Sequence, residues 1–147
     1  MSKYDCLKLE NQLCFPLYVC SKEIIRKYKP LLDKIDLTYT QYITMMVLWS
    51  KKNLTVTELG KHLYLDSGTL TPLLKKLENK GYIKRIRSSD DERNLIVEIT
   101  NKGLDLKKKA VNVPESIRNC ISLNEEEAIL LYKILYKIIN GNKLEEE

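Results

Sequence analysis

The sequence predicts a mainly α (α+β) fold in which a helix-turn-helix is followed by a two-stranded wing and flanked by further helices. Three observations predict it: reciprocal helix-start signals at Thr38 and Thr55, a leucine-patterned helix that follows a short turn, and two short strands of alternating apolar residues directly behind it.

At Thr38 and Thr55 a threonine precedes Gln41 and Glu58 by three residues, so each pair can satisfy free amides at a helix N-terminus reciprocally. Leu37 with Tyr42, and Leu54 with Leu59, add an apolar staple across each start. Helices are therefore expected to begin near residues 39 and 56. Ser122 and Glu125 repeat the pattern and predict a third start, followed by Ile129, Leu130, Leu131, Ile134, Leu135, Ile138 and Ile139 up to a stop at Gly141. Asp66 or Ser67 can cap a helix in which Leu70, Leu73, Leu74 and Leu77 recur at i, i+3, i+4 and i+7 before Gly81. Tyr82 to Arg87 and Asn94 to Ile99 read as strands joined by the polar loop Ser88 to Arg93. Leu9 to Leu32 and Lys102 to Val111 read as helical. The expected order is α-α-α-α-β-β-α-α in one domain spanning 1–147, with a central core about 38–100 between outer helices about 7–32 and 102–140.

Composition excludes more than it selects. A net charge of +5, from 25 Lys and Arg against 20 Asp and Glu, suits a polyanionic partner without requiring one. No apolar run approaches the ~18 to 20 residues needed to cross a bilayer, and the start lacks a secretion signal, so a cytoplasmic protein that does not engage membranes is expected. Cys6, Cys14, Cys20 and Cys120 lack the close pair spacing of a zinc site, and His62 is the sole histidine, so no metal is expected. With no glycine-rich phosphate loop, no cofactor is expected either.

The helix from Ser67 to Lys80 turns its leucines one way, which leaves Ser67, Gly68, Thr69, Thr71, Pro72, Lys75, Lys76 and Asn79 on or beside the other face. Small residues at its start permit close approach to a surface, hydroxyls can reach phosphates or base edges, and lysines can neutralise phosphates. These residues, with Arg85 and Arg87 on the first strand, form the candidate DNA-binding set. Arg93 at the wing tip suits a narrow minor groove, with Asp91 as the carboxylate that directs its guanidinium. Pro72 sits in the second turn of a helix, where a proline is unexpected.

The run Leu63-Tyr-Leu-Asp-Ser-Gly-Thr-Leu-Thr-Pro-Leu-Leu-Lys-Lys-Leu-Glu78 and the run Asp90-Asp-Glu-Arg-Asn-Leu-Ile-Val-Glu-Ile-Thr100 closely resemble the MarR family. Glu10-Asn-Gln-Leu-Cys-Phe15 and Leu37-Thr-Tyr-Thr-Gln-Tyr42 resemble the OhrR-like organic-peroxide sensors within it, and the likeness extends over residues 7 to 140. The resemblance implies a homodimer whose terminal helices interlock, two winged helices reading double-stranded operator DNA of pseudo-palindromic sequence, and repression. It further implies that Cys14 is the redox-active cysteine responding to organic hydroperoxide, that Tyr28 and Tyr39 support its thiolate with Tyr18 near by, and that Cys120 is a candidate resolving thiol in the opposite subunit.

Elementary chemistry adds three constraints. A reactive thiol must ionise, which positive potential or hydrogen-bond donors favour; tyrosine hydroxyls can serve where a full charge would be costly to bury. If residues 14 to 28 form one helix, Cys14 and Tyr28 lie ~21 Å apart along it, so any contact between them must cross a dimer. Pro16 lacks an amide for an i−4 carbonyl, so the first helix is expected to start near residue 15 or to kink there. The alternative is a regulator controlled by a small aromatic ligand at the dimer interface. A thiol peroxidase ranks below both, since no acid-base pair accompanies Cys14, and a purely structural helical protein ranks last.

Overall fold

Capping sets most of the helix boundaries in the computed structural model, which describes residues 1–88 and 91–143, with side chains for 1–87 and 95–141. Two short 3-10 turns, Asp5–Leu7 and Leu9–Asn11, lead into α1, Cys14–Asp33. The expected helix from Leu9 is thus corrected: α1 begins five residues later, which leaves Pro16 in the first turn, where no intrahelical amide bond is lost. Pro30 lies deeper, inside the last turns of α1, and the helix continues past it to Asp33. The corner that follows turns at Asp36, whose φ of 54° is left-handed.

Helix α2, Tyr39–Lys51, carries the full reciprocal cap: Gln41 N donates to Thr38 Oγ1 at 3.3 Å, and Thr38 N donates to Gln41 Oε1 at 3.1 Å. The short strand β1, Asn53–Thr55, is followed by α3, Val56–Leu63, with the same cap between Thr55 and Glu58. That backbone amide bond from Thr55 holds the Glu58 carboxyl below its usual range. Asp66 then accepts from Thr69 N at 2.7 Å and opens α4, Ser67–Asn79. Gly81, at φ 81°, follows in a left-handed turn that a side chain would strain.

Strands β2, Ile83–Ser88, and β3, Asp91–Ile99, form the wing. The expected loop Ser88 to Arg93 is shorter than anticipated, because β3 already pairs from Asp91, opposite Ser88, after an irregularity at Arg87/Ser88. Apolar alternation could not reveal this, since Asp91 to Asn94 is wholly polar. The sheet order is β1-β3-β2, all antiparallel, with Leu54 opposite Val97. Strand β1 was missed because a three-residue strand has no readable period.

Helices α5, Asn101–Ala110, α6, Val113–Cys120, and α7, Glu125–Lys143, complete the chain. Helix α6 is an addition to the expected order, and its Pro114 occupies a first-turn position that needs no amide. Helix α7 is capped by Asn124, not Ser122: Glu127 N donates to Asn124 Oδ1 and Asn124 N donates to Glu127 Oε2, both at 2.9 Å. It also continues through Gly141 to Lys143.

The chain divides into two compact units, Met1–Ile117 and Arg118–Glu147. In the first, Leu32, Met45, Leu48, Leu59, Leu70, Leu74, Leu77 and Val97 are fully buried, each such side chain stabilising the fold by ~2 kcal/mol before entropy is counted. The wing base closes where α5 approaches it: a Cβ on Gly103 would lie 2.3 Å from the Tyr82 carbonyl oxygen. Most of the described part of the second unit is α7, along which Leu130, Tyr132, Ile134, Tyr136 and Ile138 remain exposed, with Tyr132 at 63%. No helix among the described residues is long and apolar enough to cross a membrane.

Candidate nucleic-acid interface and thiol site

Helix α4 buries Leu70, Leu73, Leu74 and Leu77 and exposes Ser67, Gly68, Thr69, Thr71, Pro72, Lys75, Lys76 and Asn79. All eight residues expected on the reading face thus meet solvent together. Neither Lys75 nor Lys76 joins a salt bridge among the described residues, so both ammonium groups can serve phosphates. Thr71 is more restricted, because its hydroxyl donates to the Ser67 carbonyl oxygen at 2.8 Å and only its lone pairs remain outward. Pro72 supplies no amide to the Gly68 carbonyl, which leaves that acceptor unbonded by the helix ladder.

The wing residues separate into two roles. Arg87 and Lys84 are exposed. Arg85 is engaged within the chain: its guanidinium nitrogens lie 3.0 and 3.3 Å from Glu78 Oε1, and its own amide donates to Glu78 Oε2 at 2.8 Å. It fastens the wing to the last turn of α4. Asp91 lies on β3, while its side chain and that of Arg93 fall outside the described residues.

Cys14 is the first residue of α1 and is exposed, between Leu13 at 85% and Phe15 at 40%. The motif residues before it shape the approach. Asn11 Nδ2 donates to the Asp5 carbonyl at 2.7 Å, and Gln12 Nε2 donates to the Cys6 and Lys8 carbonyls at 2.7 and 2.9 Å, which folds the leader into a cap. Tyr18 lies one turn after Cys14, exposed, with the Lys22 ammonium 4.8 Å from its ring centre. Cys6 and Cys20 are exposed as well, and Cys120 is exposed at the end of α6 in the second unit.

Tyr28 and Tyr39 are brought together, with ring centres 4.9 Å apart and Tyr42 5.8 Å from Tyr28. Burial, aided by the neighbouring Tyr39 and Tyr42, pushes the Tyr28 hydroxyl up to about 12, and burial raises Tyr39 too. Both therefore remain neutral hydrogen-bond donors at physiological pH. The aromatic chain continues from Tyr42 to Trp49, whose Nε1 donates to the Gly103 carbonyl at 2.9 Å. Sequence reasoning assigned Tyr42 only to a staple and overlooked Trp49; four aromatics at positions 28, 39, 42 and 49 were the available signal. Because α1 is continuous from Cys14 through Tyr28, the ~21 Å separation within one chain holds.

A model of the transcriptional regulators SarA/Rot matches residues 26–110, more than half of the chain. The organic hydroperoxide resistance transcriptional regulator of Bacillus subtilis is 47% identical over 138 residues, 94% of each chain. The chain belongs to the MarR family, in its OhrR-like group. The HTH-type transcriptional regulator SarZ of Staphylococcus saprophyticus is 48% identical over 132 residues, 90% of each chain. Among solved structures, reduced AbfR bound to DNA superposes with a TM-score of 0.81 at 34% identity, covering 99% of this chain and 100% of that one. A disulfide-formed AbfR superposes less closely, with a TM-score of 0.62, at 99% and 97% coverage.

Proposed function

We propose that this MarR-family protein is a redox-sensing transcription regulator that represses by binding a pseudo-palindromic DNA operator as a homodimer and lets go when organic hydroperoxide oxidises Cys14. The observation that carries this is an exposed thiol at the first position of the helix that also bears Tyr28, in the same unit as the outward cationic face of α4. That AbfR occurs both reduced on DNA and in a disulfide form supports the same switch.

Tyr28 and Tyr39 cannot reach Cys14 of their own chain, so they act on the thiol of a second copy, donating to its thiolate. The exposed apolar length of α7, and Leu13 and Phe15 beside Cys14, are the surfaces that a second copy covers. In the reaction the thiolate sulfur attacks the terminal peroxide oxygen; an S–O bond forms, the O–O bond breaks, and the leaving alkoxide takes up a proton to become an alcohol. The sulfenic acid then condenses with a second thiol, forming an S–S bond and releasing water. That thiol is Cys120 of the opposite subunit or a small cellular thiol. The protein acts on DNA occupancy in the cytoplasm and turns over no substrate.

A mobility shift with Cys14→Ser tests this reading. The variant is expected to retard operator DNA and to ignore peroxide; release of the variant by peroxide contradicts it. A ligand-controlled regulator is the second reading, favoured by an open cleft of about 290 Å3 lined by Ile25, Leu32, Leu37 and Tyr39, with Arg26 and Lys29 beside it. Release by an aromatic acid that persists in Cys14→Ser selects that reading.

A further inference from the structure

The Lys80 side chain joins two places that lie far apart in sequence. Lys80 directly follows α4, and its ammonium donates to the Asp36 carbonyl oxygen at 2.6 Å and to Gln41 Oε1 at 3.2 Å, with Asp36 Oδ1 at 3.5 Å. Gln41 is 3% exposed and its Oε1 also accepts from Thr38 N, so the ammonium is held by the capping box that starts α2. Asp36 and Thr38 form the corner between α1 and α2, and the next residue is Tyr39, packed on Tyr28.

The backbone at Lys80 is fixed as well. Its carbonyl accepts from Lys102 Nζ at 2.8 Å, and the Gly81 carbonyl accepts from Thr100 Oγ1 at 2.6 Å. An ordinary exposed ion pair contributes little and lets its partners move apart. Here three acceptors at one corner face an ammonium whose main chain is locked to the wing base. A shift of the corner therefore has a direct mechanical route to the C-terminal end of α4, a rigid rod of ~20 Å whose exposed face carries the candidate DNA-reading residues.

We propose that Lys80 is the positioning residue that couples the tyrosine corner to α4, so that oxidation of the sensing thiol alters the placement of the reading helix through this side chain. This rests on the redox reading given above. Neither DNA nor peroxide needs to touch Lys80 for it to act. What it controls is the ratio of DNA affinities in the two oxidation states, a coupling that in regulated proteins is on the order of 5- to 150-fold.

The test uses the full-length dimer and a duplex selected from a random pool by the reduced wild type. Dissociation constants are measured by fluorescence anisotropy before and after stoichiometric cumene hydroperoxide, for the wild type, Lys80→Met and Lys80→Arg, with mass spectrometry confirming equal oxidation of Cys14. The oxidised-to-reduced ratio is expected to fall at least about 5-fold in Lys80→Met and to be largely restored in Lys80→Arg. A Lys80→Met variant that weakens both states by one common factor overturns the proposal, because the side chain then only supports the fold. A wild type that peroxide does not release overturns the redox reading itself, and the proposal with it. Should Lys80→Met fail to fold, hydrogen exchange on the wild type decides: amides of residues 36–38 and 80–82 are expected to change together on oxidation, and a change at 36–38 alone overturns the coupling.

Discussion

The guanidinium of Arg85 closes on the carboxylate of Glu78 at 3.0 Å, with a second bond from the Arg85 amide, so strand β2 is tied to the end of the reading helix α4. Hydrogen bonds from Arg85 hold the Glu78 carboxyl below its usual range. The contribution is therefore complete above the ordinary glutamate value of ~4.3 and is lost as pH falls through the lowered one. Urea unfolding at neutral pH is expected to show Glu78→Gln less stable by ~1 kcal/mol, the half-buried, solvent-reached setting keeping the figure small. The difference from wild type should shrink below pH ~4, and a gap that widens in acid contradicts the assignment.

Lys75→Ala and Lys76→Ala should each weaken binding about equally across DNA sequences and reduce the slope of log affinity against log salt by ~1. Substitutions of Thr69 or Asn79 are expected instead to alter sequence preference, by ~1 to 3 kcal/mol at the affected base pair. Anisotropy titrations over a salt series, on selected and scrambled duplexes, separate the two outcomes.

The parts of this architecture written in local chemistry were readable without coordinates. Thr38, Thr55 and Asp66 mark helix starts because a side-chain oxygen must meet a free amide a fixed three residues on, and the leucines of α4 mark its inner face. What escaped depends on distant neighbours or on polar sequence. Arg85 reads as one more cation until Glu78 lies beside it, and Lys80 reads as a helix end until the Asp36 corner folds against it. Ser122 reads as the cap of α7 because Glu125 lies three residues on, whereas Asn124 and Glu127, at the same spacing two residues later, supply it. The Tyr28, Tyr39, Tyr42 and Trp49 cluster is likewise a product of packing between α1 and α2.

Tyr28→Phe and Tyr39→Phe should each slow oxidation of Cys14 by ~10- to 100-fold, as expected for losing a hydrogen bond to a charged sulfur. Stopped-flow mixing with cumene hydroperoxide measures the rates. Unfolding experiments supply a separate check on Tyr28. Because its folded value is about 12 against 10.0 for a free tyrosine, stability is retained below pH 10 and falls as pH rises towards 12. Tyr28→Phe should remove that part of the alkaline loss.

Gly103→Ala should destabilise the first unit by at least ~1 to 3 kcal/mol, since the added methyl would meet the Tyr82 carbonyl at 2.3 Å and Ile99 Cγ1 at 2.8 Å. Thermal unfolding reads this directly. An unchanged midpoint contradicts the close approach of α5 to the wing base.

The most direct measurement follows sulfur and DNA together, with one equivalent of cumene hydroperoxide added to the DNA-bound dimer, each cysteine mapped by mass spectrometry and release read by anisotropy over the same interval. Oxygen or a disulfide should appear first on Cys14, ahead of Cys6 and Cys20, which are also exposed, at the rate at which DNA departs. Release of the duplex while Cys14 stays reduced, or oxidation of Cys14 with the duplex still bound, contradicts the account.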